Sequence, residues 1–203
     1  MKKTFLTLSL LVSGIALGCA AEEKGFVPLF NGKDTTGWHL RKADGHNSWK
    51  VEDGILKNTV NEGEHGTDLV TDKKFKNFTV KYEYLVPDNS NSGFYLRGRH
   101  EIQILDDFGA TELRPGSNGG LYSIKAPSQN VSRRPGQWQQ AEATIKGNRV
   151  TVMLNGAKIH ENVEVNKATG GELDQSVDQP GPIMLQGDHG AIAFRNIRIK
   201  ELK

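Results

Sequence analysis

The chain has 203 residues, of which 26 are Lys or Arg and 24 are Asp or Glu, for a formal net charge of +2. Residues 1–21 hold two lysines and no acid, so the remaining chain has 24 basic and 24 acidic residues and a net charge near zero. This balance, without a stretch rich in Lys and Arg, gives no electrostatic footprint for nucleic acid, and we expect no nucleic acid partner. The remaining length, roughly 180 residues, suits one domain with a sizeable core.

The chain begins with a predicted signal peptide, residues 1–21. Lys2 and Lys3 precede an apolar run over residues 5–17, which is too short to span a membrane and ends in small residues around Cys19. Cys19 is the only cysteine, so the mature domain has no disulfide framework. The cluster fits a lipoprotein-type leader, in which Cys19 is lipidated, and also an ordinary leader; both alternatives stay open. We expect export to the periplasm or outer envelope, with membrane contact only through a lipid anchor on Cys19.

Strand patterns follow one another along residues 22–203, and no helical period persists for three turns. The predicted strands and turns, in chain order, are 49–51 and 55–56 around an Asp53-Gly54 turn, 78–86, 91–97, 101–106, 150–154 with an Asn155-Gly156 turn, 183–186 and 191–199. Residues 107–137 and 162–181 are predicted long loops, and loops of that length are often functional. The pattern predicts one all-β domain of two antiparallel sheets packed face to face.

The segments 91–97 and 101–106 predict a hairpin with one apolar and one polar face. A two-residue loop would mix apolar and polar side chains on both faces, whereas a three-residue loop, residues 98–100, separates them. The predicted pairs are Leu96 with Ile102, Phe94 with Ile104, Arg97 with Glu101, and Tyr95 with Gln103. Tyr, Arg, Glu and Gln side chains together are typical of a surface that binds sugars.

Short motifs occur along the chain in a characteristic order. They include Leu29-Phe30-Asn31-Gly32-Lys33-Asp34, Gly37-Trp38, Trp49-x-Val51-x-Asp53-Gly54, Asp68-Leu69-Val70-Thr71, Asn91-Ser92-Gly93, Leu96-Arg97-Gly98, Glu101-x-Gln103-Ile104-Leu105-Asp106, Gly120-Leu121-Tyr122, Leu154-Asn155-Gly156, Leu185-Gln186 and His189-Gly190. Over residues 26–202 the series resembles the 3-keto-disaccharide hydrolase domain family, long catalogued as a domain of unknown function. The resemblance implies a concanavalin A-like jelly-roll sandwich with a concave carbohydrate-binding sheet. It also implies action on 3-keto glycosides by 1,2-elimination, hydration or both.

The acidic residues of the hairpin disfavour ordinary glycoside hydrolysis by double displacement, which needs two carboxylates flanking the scissile bond. Related glucanases carry Glu-x-Asp-x-x-Glu on a bulged strand. Here the pattern is Glu101-x-Gln103-x-x-Asp106, so the middle acid is replaced by an amide and the last acid is shorter.

Keto chemistry needs fewer groups, because a carbonyl at C3 of the sugar makes the C2 proton acidic. Glu101 is the predicted base and His189 the competing one, since an unperturbed His titrates near neutral pH. Arg97, a divalent metal ion or both would stabilise the enediolate. Asp106 is the third candidate catalytic residue and belongs to a predicted group with Arg97, Glu101 and Gln103. Asp106 and His189 are also candidate metal ligands, although no spacing here is a recognised metal motif, so the metal stays open. No organic cofactor is expected.

The expected substrate is a small oxidised disaccharide, oligosaccharide or other glycoside. The residues predicted to contact it are Asn91, Tyr95, Arg97, Gln103, Tyr122 and Gln186. Structural roles are the alternatives: Arg97 and Glu101 as a cross-strand ion pair, Asp106 as a strand end, and His189 as a surface histidine. A non-catalytic carbohydrate-binding module is the alternative function. Such a module would need aromatic platforms more than a charged cluster, so the hairpin favours an enzyme.

Overall fold

The computed structural model describes residues 23–60 and 64–203, and within these ranges the structure is all-β. The predicted signal peptide, with Cys19, lies outside the described residues. The strands of the described part are β1 (Val27–Pro28), β2 (Trp38–Leu40), β3 (Trp49–Glu52), β4 (Ile55–Asn58), β5 (Leu69–Phe75), β6 (Phe78–Leu85), β7 (Asn91–Leu96), β8 (His100–Leu105), β9 (Gln139–Lys146), β10 (Arg149–Leu154), β11 (Ala157–Glu164), β12 (Gly181–Leu185) and β13 (Ile192–Glu201). Within the same ranges, no helix is long and apolar enough to cross a membrane.

The strands form two antiparallel sheets, as predicted. The larger sheet has eight strands in the order β11-β10-β9-β6-β13-β4-β3, with β1 paired to β13. The smaller sheet has five strands in the order β2-β5-β12-β7-β8. Because β12 lies between β5 and β7, the centre of the smaller sheet joins segments that are distant in the chain, such as Met184 with Val70 and with Tyr95.

Aromatic side chains from both sheets meet in the core between them. Tyr82 of β6 stacks on Phe94 of β7 with ring centroids 3.8 Å apart, and Phe194 of β13 lies against both rings. Removing such rings from water is the main stabilising contribution of a sandwich core, about 25 cal/mol for each Å² of apolar surface. The four hairpin residues predicted to face inward are all in this core: Phe94, Leu96, Ile102 and Ile104.

Two predicted hairpin turns are confirmed. Both central residues of each turn have positive φ, 52° and 77° at Asp53 and Gly54, and 49° and 85° at Asn155 and Gly156. This is the conformation of a type I′ turn, whose twist matches that of the flanking strands. The turns join β3 to β4 and β10 to β11.

The predicted register of the β7–β8 hairpin is wrong by two residues. Its loop has three residues, as predicted, but they are 97–99, so that Leu96 lies opposite His100 instead of Ile102. Arg97 leaves the strand because its backbone takes a left-handed conformation, with a φ of 56°. Since side chains alternate with a period of two, this slip keeps each strand residue on its predicted face and changes only its partner.

Candidate active site

Glu101 lies on the outer face of the five-stranded sheet, the face opposite to the core, in a row of mainly apolar side chains. Tyr95 of β7 is paired with Glu101 of β8 on one side and with Met184 of β12 on the other. Met184 is paired in turn with Val70 of β5. Directly opposite residues of antiparallel strands point to the same face. The row therefore surrounds one carboxyl group with aromatic and apolar neighbours.

A second row, one pleat further along the strands, carries polar side chains. Gln103 of β8 is paired with Gly93 of β7, and the backbone N–H of Gln186 donates to the carbonyl of Gly93 at 2.9 Å. The pairing of β12 with β5 brings Asp68 next to Gln186, where its Oδ1 accepts from the backbone N–H of Gly187 at 3.0 Å. Two amide residues thus flank a glycine, and one carboxylate lies beyond Gln186.

Gly93 provides the space in which the Glu101 carboxylate lies. A Cβ atom at residue 93 would be 2.3 Å from Oε1 of Glu101 and 3.0 Å from its Cδ. Gly93 is not among the residues with positive φ, so the glycine is required here for space and not for its backbone conformation. Any side chain at this position would displace the carboxylate.

Burial raises the pKa of Glu101 to about 7. Glu101 is only 3% exposed. A hydrogen bond from Tyr95 and the charge of His189 lower this pKa, whereas Asp68 and Asp188 raise it further. Burial also raises the pKa of Tyr95, so its hydroxyl stays protonated and remains a donor. A carboxyl that titrates near neutral pH can both accept a proton and return it.

Residues 166–180, within the loop between β11 and β12, cover this part of the outer face. The side chain of Thr169 accepts a hydrogen bond from the backbone N–H of Glu101 at 2.9 Å. Leu173 packs against the apolar row, and its backbone N–H donates to the carbonyl of Gly98 at 2.9 Å. The covering segment is therefore hydrogen-bonded to the backbone of the β7–β8 hairpin and packs against the side chains of the apolar row.

Arg41, the residue after β2, links the covering segment to the polar row. Its guanidinium donates to the carbonyls of Gly171 and Glu172, both at 2.8 Å, and to the carboxylate of Asp68 at 3.1 Å. These bonds leave Asp68 largely enclosed, with its side chain 8% exposed. Arg41 thus neutralises the second carboxylate of the outer face and fixes the cover at the same time.

The loop between β8 and β9 continues the sheet beyond β8. The backbone N–H of Gln103 donates to the carbonyl of Gly120 at 2.9 Å, and that of Tyr122 donates to the carbonyl of Glu101 at 3.1 Å. This antiparallel pairing puts Tyr122 beside Glu101 on the outer face, where it is 39% exposed. The predicted loop residue is thus brought to the predicted base.

Two predicted contact residues carry unsatisfied acceptors on the same face. Oδ1 of Asn91 and Oε1 of Gln186 are buried and have no hydrogen-bond partner within the described part of the chain. A buried acceptor without a donor costs about 1–3 kcal/mol, so such atoms mark places where a ligand or water donates. Hydroxyl groups are suitable donors for both.

His189, the competing base, lies in the loop after β12. Its side chain is half exposed, and its Nδ1 is 2.5 Å from Oδ1 of Asp188. Its charge acts on Glu101, so the structure brings the two predicted bases into the same region. Glu101 is the covered member of this pair and His189 the solvent-exposed one.

Arg97 does not contribute to the site, contrary to the prediction. It is 1% exposed, and its guanidinium donates to the carbonyls of Lys76, Gly147 and Val177 at 2.6, 2.9 and 3.2 Å. Because the hairpin loop begins at Arg97, its side chain turns into these three segments and does not pair with Glu101. The Arg97 side chain links these three chain segments and is too deeply buried to contact a substrate.

The prediction that Asp106 belongs to the Glu101 group is also wrong. Asp106 follows β8, and its Oδ2 accepts from the backbone N–H of Asn89 at 3.1 Å. Five residues of extended strand span about 16 Å, whereas paired carboxylates in glycosidases are about 5–9.5 Å apart. Asp106 therefore fixes the turn before β7 and does not form a catalytic pair with Glu101.

The described residues contain no group of three or more His, Cys, Asp or Glu side chains placed to hold a metal ion. Asp106 is bound to the backbone of Asn89, and His189 is bound to Asp188. Among the described residues these two side chains do not assemble a set of metal ligands, so the divalent metal considered from the sequence stays a prediction and no step below is routed through it.

Three residues that build the site were missed by sequence reasoning: Arg41, Asp68 and Gly93. The positions of Arg41 and Asp68 depend on pairings among β2, β5 and β12, which no local pattern reveals. Gly93 did carry a signal, because an isolated glycine in an alternating strand often marks a close approach by another group.

A comparison with protein families decides the membership of this chain. The model of the 3-keto-alpha-glucoside-1,2-lyase-like domain matches residues 25–200. The chain belongs to this family. The matched range contains every residue of the two outer-face rows, including Glu101 and Gly93.

Similar proteins agree with this membership. A curated relative from Bacteroides thetaiotaomicron, named 3-keto-disaccharide hydrolase, is 29% identical over 92% of this chain and 82% of its own length. The solved structure of a candidate glycosyl hydrolase from Parabacteroides distasonis is 31% identical, with a TM-score of 0.72 over 88% of this chain and 84% of that one. The β-glucanase of Bacillus licheniformis is 14% identical, with a TM-score of 0.54 over 88% and 97%, and shows a common fold alone. The predicted jelly-roll sandwich is confirmed.

Proposed function

We propose that this protein cleaves 3-keto glycosides and that Glu101 is the general base. Membership of the family and the named relative support an enzyme with hydrolase activity on carbohydrates. The observation that carries the proposal is one buried carboxyl, held over Gly93 and titrating near neutral pH, on a face that also presents amide groups. Such a group suits proton abstraction next to a carbonyl.

The first step is the elimination of the C1 substituent. The Glu101 carboxylate removes the C2 proton, and the electron pair of the C2–H bond forms an enediolate with the C3 carbonyl. The enediolate then collapses: the C3 carbonyl re-forms, a C1–C2 double bond forms, and the bond from C1 to the glycosidic oxygen breaks. Protonated Glu101 returns its proton to the leaving oxygen, which departs as an alcohol or sugar hydroxyl.

Hydration of the product completes a net hydrolysis. The Glu101 carboxylate takes a proton from water as the water oxygen adds to C1. The proton is then delivered to C2, and a 3-keto sugar with a free hydroxyl at C1 results. One carboxyl serves both halves because each half removes one proton and returns one.

Gln103 is the proposed donor to the enediolate oxygen, in place of Arg97. The Oε1 of Gln103 accepts from the backbone N–H of Ile104 at 3.2 Å, which fixes the amide and leaves its N–H₂ group for a ligand. Gln103 lies beside Glu101 on the same face, one pleat along β8. A positioned amide donor in a covered site stabilises developing negative charge without a formal charge of its own.

Tyr95, Asn91 and Gln186 complete the proposed site. Tyr95 donates to the Glu101 carboxylate and so orients it, while the buried acceptors of Asn91 and Gln186 bind sugar hydroxyls. Export of the enzyme to the periplasm or outer envelope remains part of the proposal and is supported by the predicted leader at residues 1–21.

The deciding experiment compares a 3-keto disaccharide with its unoxidised form, with and without chelator, in deuterated water. Cleavage of the keto form alone, with deuterium appearing at C2 and no effect of chelator, is the expected result. Equal cleavage of the unoxidised sugar without exchange at C2 would instead establish ordinary hydrolysis. Loss of activity in chelator would restore the metal that the sequence left open.

Variants test the residue assignments. Glu101→Gln keeps the shape of the side chain but cannot accept a proton, so turnover should fall about 10²–10⁴-fold. Glu161→Gln is a matched control, because Glu161 is an exposed residue paired only with Lys158. His189→Ala should leave more activity than Glu101→Gln, and Asp106→Asn should change turnover little. A His189→Ala variant as inactive as Glu101→Gln would transfer the role of base to His189.

A further inference from the structure

A depression beside Tyr122 extends the outer face past β8. It has a volume of about 510 Å³ and is lined by Leu105, Ser117 and Tyr122, with Glu112 and Arg114 among its exposed residues. Sites for small molecules commonly have volumes of about 300–1,000 Å³. The backbone of Tyr122 is hydrogen-bonded to that of Glu101, and Leu105 is paired with Asn91, so the depression lies next to the Glu101 site.

The ring of Tyr122 lies between glycines of the two long loops. A Cβ atom at Gly116 would be 3.7 Å from Cε2 of the ring, and one at Gly170 would be 3.5 Å from Cε1. An added methyl group would thus just touch opposite edges of the ring. Tyr122 lies between the two loops and is 39% exposed, as expected for a platform that a sugar ring can pack against.

The loop that forms the depression is held by its own hydrogen bonds. The carboxylate of Asp107 accepts from the backbone N–H of Asn118 and from the hydroxyl of Ser132, both at 2.8 Å. The side chain of Asn130 donates to the carbonyls of Asp107 and Ala110 at 3.0 and 3.1 Å. A loop fixed in this way loses little conformational entropy when it binds a ligand.

Glu112 and Arg114 supply hydrogen-bonding groups at the same place. Within residues 23–60 and 64–203, neither side chain takes part in a salt bridge, and only the backbone N–H of Arg114 makes a hydrogen bond to a side chain, that of Ser117. The carboxylate of Glu112 can thus accept hydrogen bonds from the hydroxyl groups of a polar ligand, and the guanidinium of Arg114 can donate several to them.

We propose that this depression binds the leaving sugar of a 3-keto disaccharide, an inference that rests on the proposed function. With the keto ring over Glu101 and Gly93, the glycosidic bond points past β8, and the second ring packs on Tyr122. Arg114 and Glu112 bind its hydroxyls. The site then determines specificity for the leaving group and takes no part in proton transfer.

The test compares two substrates that differ only in their leaving groups, a 3-keto disaccharide and the corresponding methyl 3-keto glycoside. In Tyr122→Ala, the ratio of kcat/KM for the disaccharide to that for the methyl glycoside should fall about tenfold, as expected for one lost stacking contact. Tyr122→Phe should keep the ratio, and Arg114→Ala should lower it. Phe108→Ala is the matched control, because Phe108 is an exposed aromatic of the same loop that does not line the depression.

The outcomes separate this inference from the proposed function. If Tyr122→Ala lowers both activities equally or changes neither, the depression does not bind the leaving group, although the enzyme still acts on keto glycosides. If the wild-type protein turns over neither keto substrate, the proposed function fails and the subsite fails with it. Thermal unfolding of each variant shows that the comparison is made between folded proteins.

Discussion

Gly93→Ala tests the geometry of the site with a single methyl group. The new Cβ would meet Oε1 of Glu101 at 2.3 Å, and ordinary contact begins at 3.4 Å, so the carboxylate must move by about 1 Å. The clash involves the end of a flexible side chain, and alanine fits the backbone because Gly93 has no positive φ. Gly→Ala at a compatible position typically stabilises a protein by about 0.4–1 kcal/mol, which offsets part of the cost of the displacement. We therefore expect a folded variant with a misplaced base.

The expected signature is a loss of activity without a loss of fold. A misplacement of about 1 Å costs on the order of a hundredfold in rate, whereas the thermal midpoint should stay within a few degrees of the wild-type value. The assay is steady-state turnover of a 3-keto disaccharide together with a thermal melt. Glu101→Gln with Gly93→Ala should be no slower than Glu101→Gln alone, because both changes act on one carboxylate. Full activity of Gly93→Ala would refute the role assigned to this position.

Three further predictions follow from the structure, and a fourth follows from the predicted leader. Because the pKa of Glu101 is about 7, kcat/KM should rise as pH increases through about 7. Tyr95→Phe removes a hydrogen bond that lowers this pKa, so the rise should move to higher pH in this variant. A move to lower pH would contradict the assignment of Glu101 as the base. Between pH 4.5 and about 7, Glu101 keeps its proton in the folded protein but loses it in the unfolded chain. The free energy of unfolding of the wild type should therefore fall, relative to that of Glu101→Gln, by up to about 3 kcal/mol as pH rises through this range. Urea titration at several pH values measures the difference. Arg97→Ala removes three hydrogen bonds that a buried guanidinium donates to part-buried carbonyls and should lower the free energy of unfolding by about 3 kcal/mol. A melt unchanged from wild type would show that those bonds are dispensable. Fractionation of the native host should find a shortened protein outside the cytoplasm. If the leader is of the lipoprotein type, Cys19→Ala should release the protein from the membrane. Full-length protein in the cytoplasm would disprove export.

The faces of the central hairpin could be predicted from sequence, but its register could not. Alternation along β7 and β8 placed Phe94 in the core and Glu101 on the opposite face, and both placements are confirmed. The loop begins at Arg97, whose guanidinium donates to acceptors outside the hairpin. Those acceptors belong to segments around residues 76, 147 and 177, which are distant in sequence and carry no local signal.

The site shows the same division between local pattern and long-range pairing. Gln103 and Tyr122 were identified because they stand in or beside the segment that contains Glu101. Arg41 and Asp68 were missed because their place next to the outer face results from strand pairing across more than a hundred residues. Burial raises the pKa of Glu101, and residues 166–180, which contact Glu101 through Thr169, were indicated by the sequence only as part of a long loop.

The way Arg41 holds the cover has a consequence for protein engineering. Arg41 binds the carbonyl oxygens of Gly171 and Glu172, groups that every amino acid possesses. Side chains of the cover can therefore be exchanged without removing these two anchors, provided that the backbone path is kept. A library randomised at half-buried Glu172 and exposed Gln175 would change the surface of the cover and leave its two backbone anchors in place. The backbone of the cover thus provides its attachment to Arg41, and its side chains can vary independently of that attachment.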